Sequence, residues 1–309
     1  MTCAKRGRHH ESNQSHESLQ NLFLFVRFVR FVVPSLEMPE LPEVETTRRG
    51  VEPHVKGKKI REVIVRHRGL RMPVSETLDE IAGDKITGVR RRSKYLIFDL
   101  AKKGLLLVHL GMSGSLRLRP PDEDFKKHDH IALTLDSGKQ LRFHDPRRFG
   151  IFLHLPEGDP MEHPLLKGLG PEPLEDGFSA DTLAQAFASR SIAVKVALMD
   201  AKVVVGVGNI YASEALFRAG IKPATEARKV TKPRLEKLAA AVRAVLTESI
   251  EQGGTTLRDF LNSDGEPGYF AQRLFVYDRK GEPCRVCGTA IKHAVMGQRS
   301  TYWCPTCQR

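Results

Sequence analysis

The amino-acid sequence predicts an α+β fold in which strands and helices occupy separate stretches of the chain. Residues 60–155 contain short apolar or alternating runs separated by turn residues, a pattern typical of β-strands. Beyond residue 174, apolar side chains recur at helical spacing, and two pairs of cysteines then crowd into the last 26 residues. A chain of 309 residues is long enough for about two domains, each with a core of its own.

A helix is expected before the strand-rich region. Residues 43–51 have a helical pattern, and Pro53 should end it because proline cannot supply the amide hydrogen that a helix needs. Residues 136–139 have the sequence Asp-Ser-Gly-Lys, which predicts a hairpin between two of the strands. The predicted strands are residues 60–65, 95–100, 105–110, 115–118, 131–135 and 140–143.

The helical region should begin after a linker at residues 169–174, which is rich in glycine and proline. A long helix is predicted from Thr231, with Pro233 in its first turn and Gly253 at its end. Its apolar stripe consists of Leu235, Leu238, Val242, Val245 and Ile250.

A second helical pattern at residues 210–219 follows a glycine turn, Gly206-Val207-Gly208-Asn209. A lone G-x-G is weak evidence for a dinucleotide site, because no strand–helix unit with a following acidic residue accompanies it here. We expect instead that the turn allows backbone amides and Asn209 to approach a phosphate group.

The charge of the chain favours a polyanionic partner. The formal net charge is +12 and the sequence pI is about 9.6, which points to nucleic acid, although a basic surface can also serve solubility alone. The first 37 residues contribute only +2, from five basic and three acidic side chains. No uninterrupted apolar run of about 20 residues is present, so no membrane-spanning helix is predicted.

Residues 1–37 form a leader with two interpretations. A basic start followed by an apolar stretch resembles a targeting segment, but Arg27 and Arg30 interrupt that stretch and no small-residue cleavage site follows. We favour an over-extended gene start, with translation beginning at Met38.

Four of the five cysteines predict a structural zinc site. Cys284, Cys287, Cys304 and Cys307 form two C-x2-C pairs separated by 16 residues, the spacing of a tetrahedral thiolate site. Two disulfides are the alternative, which is disfavoured because the chain is otherwise poor in cysteine. The site is expected to be local and remote from the main cores. Cys3 lies in the leader.

The sequence around Met38 carries a possible nucleophile. Removal of Met38 would leave Pro39 as the N-terminus, with a secondary amine whose pKa of about 8 makes it partly unprotonated near neutral pH. Such an amine can attack a sugar carbon and form an iminium, and Glu40 could supply a proton. The alternative is an ordinary helix entry, in which prolines fix φ and acidic residues complement the helix dipole.

Several motifs resemble the formamidopyrimidine-DNA glycosylase family from Met38 to the C-terminus. They are Pro39-Glu40-Leu41-Pro42-Glu43, His109-Leu110-Gly111-Met112-Ser113-Gly114-Ser115, Asp145-Pro146-Arg147-Arg148-Phe149-Gly150, Val205-Gly206-Val207-Gly208-Asn209-Ile210-Tyr211-Ala212 and Gln252-Gly253-Gly254-Thr255-Thr256. The resemblance implies an N-terminal β-sandwich catalytic domain at 38–168, a linker at 169–174, a helix-two-turns-helix DNA-binding domain at 175–270 and a zinc finger at 271–309. Only the leader falls outside it.

The resemblance also implies roles for individual side chains. A stacked base must be flipped out before chemistry, and Met112 and Phe149 would fill the vacated space while Arg147 addresses the orphaned cytosine. Without the flanking motifs, core packing would be the ordinary interpretation of Met112 and Phe149. Lys94 would support strand cleavage electrostatically and by proton transfer, although a solvated lysine on a basic strand is the plain alternative.

The remaining implied residues contact DNA. Arg299, between the two cysteine pairs, would bind the phosphate beside the lesion and assist the second elimination. His128, Arg148, Arg190, Lys195 and Asn209 would contact phosphate or the damaged base. His128 and His130 could instead indicate a second metal, but no third ligand is evident in the sequence.

The resemblance implies a monomeric, bifunctional DNA glycosylase and abasic-site lyase in the bacterial cytoplasm, with one structural Zn²⁺. It would excise formamidopyrimidines and 8-oxoguanine from double-stranded DNA through a proline Schiff base with β,δ-elimination. One alternative is an endonuclease VIII-like glycosylase for oxidised pyrimidines; another is a non-catalytic zinc-ribbon DNA-binding protein in which Pro39 stays an amide.

Overall fold

The computed structural model describes residues 39–254 and 274–309. The leader at 1–37, Met38 and the Thr255-Thr256 end of one motif lie outside the described residues, as does the expected domain boundary at 270/271. No helix of the described residues is long and apolar enough to cross a membrane.

Helix α1 (Leu41–Val55) opens the described chain and continues past the proline that was expected to end it. The prediction that Pro53 stops the helix is therefore wrong. Pro53 lies only two residues before the end, so the helix loses a single hydrogen bond there. Val51 and Val55 are fully buried on either side of Pro53 and hold the last turn against the core.

Eight antiparallel strands form two four-stranded sheets, ordered β1-β6-β7-β5 and β2-β3-β4-β8. The six predicted strands are confirmed within two residues at each end, and β2 and β8 are additional. The strands are β1 (Ile60–Val65), β2 (Ile86–Arg92), β3 (Tyr95–Leu100), β4 (Leu105–His109), β5 (Ser115–Arg119), β6 (Asp129–Leu135), β7 (Gln140–His144) and β8 (Ile151–Leu155). The predicted 136–139 hairpin joins β6 to β7.

The two sheets enclose one apolar core, which makes this part a β-sandwich. Side chains from both sheets meet there, among them Leu96, Phe98, Ile131 and Phe143. Helix α1 packs one side against the same core through Val44, Val51 and Val55. Leu41, at the start of α1, belongs instead to the core of the helical part. The first turn of α1 therefore lies where the two cores meet.

The helical part contains α2 (Ala180–Phe187), α3 (Val194–Leu198), α4 (Asn209–Arg218) and α5 (Lys232–Glu251). The long helix is confirmed: Thr231 is its N-cap residue, and the five residues of the predicted stripe are buried. Gly253 and Gly254 follow it with positive φ, and the Gly254 amide donates to Ser249 O at 2.8 Å. This left-handed ending is the reason for the two glycines.

A two-stranded hairpin, β9 (Lys292–Met296) and β10 (Arg299–Trp303), completes the chain. Ile291, Tyr302, Cys284 and Cys304 belong to the same core as the helices. The expectation that the cysteine site is remote from the main cores is therefore wrong. The predicted α+β fold class is confirmed, with a β-sandwich, a helical part and a C-terminal hairpin.

Candidate active site

The start of α1 reaches across to the N-terminus of α4. Glu40 is only 2% exposed, and its carboxylate accepts hydrogen bonds from the Gly208 amide at 2.6 Å and the Ile210 amide at 3.0 Å. The Leu41 amide donates to Gly206 O at 3.1 Å. A helix N-terminus offers unpaired amides and a favourable dipole to an anion, so α4 holds the Glu40 carboxyl group in place.

The contacts of Glu40 and Leu41 with the turn before α4 require glycine at positions 206 and 208. A side chain at position 208 would overlap with the Glu40 carboxyl group, and a Cβ at Gly206 would lie 2.6 Å from the Leu41 side chain. Gly206 also has a φ of 77°. The expectation that these amides approach a phosphate group is therefore wrong for Gly208 and Ile210, because their hydrogens are directed at Glu40.

Burial raises the pKa of Glu40 to about 7. The positive charge of Lys94 and the two amide hydrogen bonds lower the pKa, and the nearby Glu43 carboxylate raises it. Desolvation is the largest of these effects. A carboxylic acid that retains its proton near neutral pH can act as a general acid.

Glu43 holds the backbone of Glu40 in place, and the sequence analysis assigned Glu43 no role. Its carboxylate accepts from the Glu40 amide at 2.9 Å and from the Tyr211 hydroxyl at 2.7 Å. Tyr211 Oη lies 2.6 Å from Ser249 Oγ on α5. The signal available in the sequence was the spacing of Glu40 and Glu43, since an acid three residues after a helix cap can bond back to the cap amide.

Lys94 lies in the tight turn between β2 and β3, which a buried acid from the 169–174 linker holds in place. Glu172 accepts from the Ser93 amide at 2.6 Å and pairs with Arg91 at 2.6 Å and Arg92 at 3.0 Å. Ser93 has a φ of 56°, which is uncommon for serine. The charge of Lys94 acts on both Glu40 and His109. Sequence reasoning missed Glu172, although an acid within a proline-rich linker was a visible signal.

Met112 and Phe149 lie on two turns that touch backbone to backbone. A Cβ at Gly111 would lie 2.5 Å from the Phe149 carbonyl carbon, so only glycine allows this approach. Asp145 joins the turns, accepting from Ser113 Oγ at 2.8 Å and from the Gly150 amide at 2.7 Å.

Phe149 is 43% exposed and Met112 is half-buried, so neither is an ordinary core residue. The guanidinium carbon of Arg147 lies 4.9 Å from the centre of the Phe149 ring. Among the described residues, the buried Nη1 of Arg147 has no hydrogen-bond partner. A buried unpaired donor beside an exposed aromatic ring suits an acceptor that arrives with a ligand.

The His109 ring fixes the turn that carries Met112. Its Nδ1 accepts from the Gly111 amide at 3.0 Å, so that nitrogen carries no proton in this arrangement. Burial, together with the positive charges of Lys94 and Arg71, lowers the pKa of His109 to about 4. The histidine therefore stays neutral at physiological pH.

The expected DNA-contacting residues differ in their surroundings. Arg148 donates to His67 Nε2 at 2.8 Å, and the His128 ring centroid lies 5.9 Å from that of His144. Arg190 forms an ion pair with Asp200 at 2.7 Å.

Lys195 is fully buried and joins α3 to α4 and to the hairpin. Its ammonium group donates to Asn209 Oδ1 at 2.5 Å, Ser300 O at 2.8 Å and Thr301 Oγ1 at 2.9 Å. Asn209 donates to the Tyr277 hydroxyl at 3.3 Å. Arg299 is exposed beside the hairpin tip. The structure thus brings Lys195, Asn209 and the Arg299 hairpin together.

The four cysteine sulfurs form a cluster that fits a tetrahedral metal ion. All lie within 4.8 Å of one another, and two of the S···S distances are 3.9 Å and 3.4 Å. Zinc–sulfur bonds of about 2.3 Å place tetrahedral thiolates about 3.8 Å apart. The four cysteines are free thiols, so no disulfide competes.

Three family models match consecutive parts of the chain. They describe the formamidopyrimidine-DNA glycosylase N-terminal domain at 38–152, the formamidopyrimidine-DNA glycosylase H2TH domain at 169–261, and a zinc finger found in FPG and IleRS at 281–309. This chain belongs to the formamidopyrimidine-DNA glycosylase (Fpg) family. The zinc finger of this family and the sulfur geometry agree on one structural zinc ion held by Cys284, Cys287, Cys304 and Cys307.

The chain aligns with individual Fpg proteins over nearly their whole length. The formamidopyrimidine-DNA glycosylase of Stenotrophomonas maltophilia (strain R551-3) is 54% identical over 268 residues, which are 86% of this chain and 98% of the relative. The crystal structure of MutM (Fpg) from Thermus thermophilus has a TM-score of 0.79 at 43% identity, covering 87% of this chain and 98% of that one. A Lactococcus lactis Fpg mutant bound to DNA containing Fapy-dG has a TM-score of 0.82 at 32% identity, with coverage of 88% and 100%.

Loss of the zinc ion is expected to weaken the helical part as well as the hairpin, because Cys284 and Cys304 share its core. Cys304→Ser should lose the metal and lower the melting temperature by roughly 5–10 °C, as about 2–3 kcal/mol would at this size. Metal analysis and calorimetry of the variant and of the unaltered chain check this. One equivalent of zinc retained by Cys304→Ser would contradict the four-cysteine site.

Proposed function

We propose that this chain is a bifunctional DNA glycosylase and abasic-site lyase that excises oxidised purines, including formamidopyrimidines and 8-oxoguanine opposite cytosine. The observation that carries the proposal is the Glu40 carboxyl group, buried beside Pro39 with a pKa of about 7 and held by the N-terminus of α4. With a pKa of about 7, the Glu40 carboxyl group is partly protonated near neutral pH, as a general acid must be.

The Pro39 nitrogen, as a free amine, attacks the anomeric carbon of the deoxyribose, and the bond from that carbon to the base breaks. Glu40 gives its proton to the departing base or to the ring-opening oxygen. The resulting iminium acidifies the adjacent sugar proton, so β-elimination and then δ-elimination release both phosphates. The ammonium group of Lys94 stabilises the carboxylate that Glu40 becomes, and Lys94 assists proton transfer during strand cleavage.

Access to the damaged base requires that it leave the helix. Met112 and the exposed Phe149 fill the space in the stack, and the unpaired Nη1 of Arg147 hydrogen-bonds the orphaned cytosine. His128, Arg148, Arg190, Lys195 and Asn209 hold phosphates or the damaged base, either directly or through the network around the Lys195 ammonium group. Arg299 binds the phosphate flanking the lesion and assists the second elimination.

The proposal includes the domain division 38–168, 175–270 and 271–309, a monomer that acts on damaged double-stranded DNA, and a cytoplasmic, nucleoid-associated location. In support, one chain already supplies Pro39, Glu40, Lys94 and the intercalating turns.

The test is base release from duplexes that each carry one defined lesion, measured with a chain that begins at Pro39. Excision of 8-oxoguanine and formamidopyrimidine opposite cytosine, faster than of oxidised pyrimidines, is the expected result. Preference for oxidised pyrimidines would favour the endonuclease VIII-like alternative, and duplex binding without excision would favour a non-catalytic DNA-binding protein.

Base excision should have a bell-shaped pH dependence. The amine must be unprotonated, so the rate falls as pH drops through its pKa of about 8, and Glu40 must be protonated, so the rate falls as pH rises through about 7. With the two pKa values in this order, the optimum lies between about 7 and 8. Lys94→Met removes a charge that lowers the pKa of Glu40, so the optimum, which lies midway between the two pKa values, should move to higher pH. Single-turnover rates measure this, and an unmoved optimum would contradict Glu40 as the acid.

A further inference from the structure

Residues 120–128, here called the 120–128 loop, join β5 to β6 and carry two adjacent exposed lysines, Lys126 and Lys127. The chemistry proposed above makes no use of them. Within residues 39–254 and 274–309, neither ammonium group takes part in an ion pair or a side-chain hydrogen bond. The loop also carries Asp122, Glu123 and Asp124, and Glu123 pairs with Arg119 at 3.7 Å, so its positive charge lies at the end that carries the lysines. Two adjacent lysines without ion pairs are available there to an anionic partner.

The 120–128 loop is anchored to the sandwich by a buried guanidinium group. Arg142 on β7 is only 1% exposed, yet it donates to Asp124 O at 3.0 Å, Glu123 O at 2.5 Å and Pro120 O at 3.3 Å. A fourth bond runs to Gln140 Oε1 at 2.6 Å. Burial of a charge is costly unless its hydrogen bonds are satisfied, and here most of those bonds go to the backbone of one loop.

A second arginine holds the other half of the loop. Arg66 donates from one guanidinium nitrogen to Lys126 O and Asp129 O, both at 2.9 Å. The guanidinium carbons of Arg66 and Arg142 lie 4.8 Å and 4.2 Å from the centroid of the Phe125 ring. A guanidinium group at this distance from an aromatic ring is attracted to it, so both arginines hold the ring. The loop backbone next to the two lysines is therefore fixed before any partner arrives.

The loop adjoins the turn that carries Phe149. The Asp145 amide donates to His128 O at 3.0 Å, which joins the end of the loop to the start of that turn. His67 receives a hydrogen bond from Arg148 and lies 5.3 Å, between ring centroids, from His130. The end of the 120–128 loop is therefore joined by a backbone hydrogen bond to the start of the turn that carries Phe149.

We propose that the 120–128 loop is a preformed clamp for the DNA phosphate backbone outside the lesion site, with Lys126 and Lys127 as its charges and Phe125 as its anchor. The inference rests on the proposed function. A lysine is a point charge that reads a phosphate without reading the base, so the clamp acts on any duplex sequence. Because the loop is already ordered, little conformational entropy is lost when DNA binds.

The chain offers a matched control for the lysine pair. Lys58 and Lys59 are also adjacent, and they lie at the start of β1, whereas Arg66 follows its end. The double variants Lys126→Ala/Lys127→Ala and Lys58→Ala/Lys59→Ala remove the same charge. Binding to undamaged and to lesion-containing duplexes is measured by fluorescence anisotropy at salt concentrations from about 50 to about 200 mM.

In Lys126→Ala/Lys127→Ala, the loss of two phosphate contacts should make the slope of log K against log [salt] shallower by about 1.8. The variant should therefore bind more weakly than the parent at low salt, and the ratio of their Kd values should fall about tenfold between about 50 and about 200 mM salt. The effect should be equal on the two duplexes, and the Lys58→Ala/Lys59→Ala control should keep the parental slope. Phe125→Ala should keep the parental slope but weaken binding about 2- to 10-fold, because the loop is no longer held.

A slope for Lys126→Ala/Lys127→Ala equal to that of the control would contradict the role of the two lysines in binding phosphate. Unchanged affinity in Phe125→Ala would contradict the role of Phe125 in holding the loop. Single-turnover base excision at saturating enzyme separates this inference from the proposed function. A parent that excises the lesion, together with an unaltered slope, refutes the clamp alone. A parent that binds duplex but excises nothing refutes the proposed function instead.

Discussion

Borohydride is expected to trap a covalent complex with lesion-containing duplex only when Pro39 is the first residue of the chain. In that form the proline nitrogen is a free secondary amine, and an α-amino pKa of about 8 leaves a useful fraction unprotonated near neutral pH. In a chain that retains Met38, the same nitrogen belongs to a peptide bond, and its lone pair is delocalised. No iminium can then form, so trapping should fall to background.

The sharpest comparison uses two chains that differ by one residue, one beginning at Met38 and the other at Pro39. Intact mass verifies the first residue of each preparation. Both chains keep the contacts of Glu40 and Leu41 with residues 206–210, so both should bind duplex with similar affinity. Trapping by the chain that retains Met38 would rule out the proline amine as the nucleophile.

Glu40→Gln should reduce base excision by about two to four orders of magnitude, the usual contribution of general acid–base catalysis. Glutamine keeps the shape of the side chain but has no acidic proton to give. It also has a single acceptor oxygen, so the Gly208 and Ile210 amides cannot each keep an oxygen of their own. Cleavage of a pre-formed abasic site should survive better, because the base has already left and the amine can still condense with the sugar aldehyde.

Glu52→Gln is the matched control for this variant, since it removes an acid from the far end of the same helix, where the half-buried Glu52 pairs with Arg48. Rates of base release and of abasic-site cleavage are measured separately for each variant. Equal loss of both rates in Glu40→Gln would mean that Glu40 mainly shapes the proline site. Unchanged base release would support the alternative interpretation, in which Pro39 and Glu40 only form the entry to a helix.

Local pattern was sufficient for most of the secondary structure. The stripe of the long helix and the six predicted strands follow from side-chain periodicity, which depends only on neighbouring residues. The failure at Pro53 has a different origin. Whether a proline ends a helix depends on what the following turn buries, and the burial of Val55 is decided by strands far along the chain.

The contacts of the candidate site were less predictable. The four cysteines could be grouped from spacing alone, because a thiolate zinc site has few possible arrangements. In contrast, Glu40 and Gly208 are 168 residues apart, and nothing local indicates that the amides of the glycine turn are used by a carboxylate. The same is true of Lys195, which is fully buried and whose ammonium group contacts residues 14 and 106 positions further along the chain.

The close contact between Glu40 and Gly208 also restricts how this sequence can diverge. Any side chain at position 208 collides with the acid, so a substitution there is tolerated only after Glu40 has been replaced by something smaller. Once both positions have changed, a later return of glutamate at position 40 would meet an occupied space and destabilise the fold. A lineage that loses the acid and then fills position 208 therefore cannot regain the acid in a single step. Substitutions at the two positions should be strongly epistatic, with the order in which they occur deciding which are accepted.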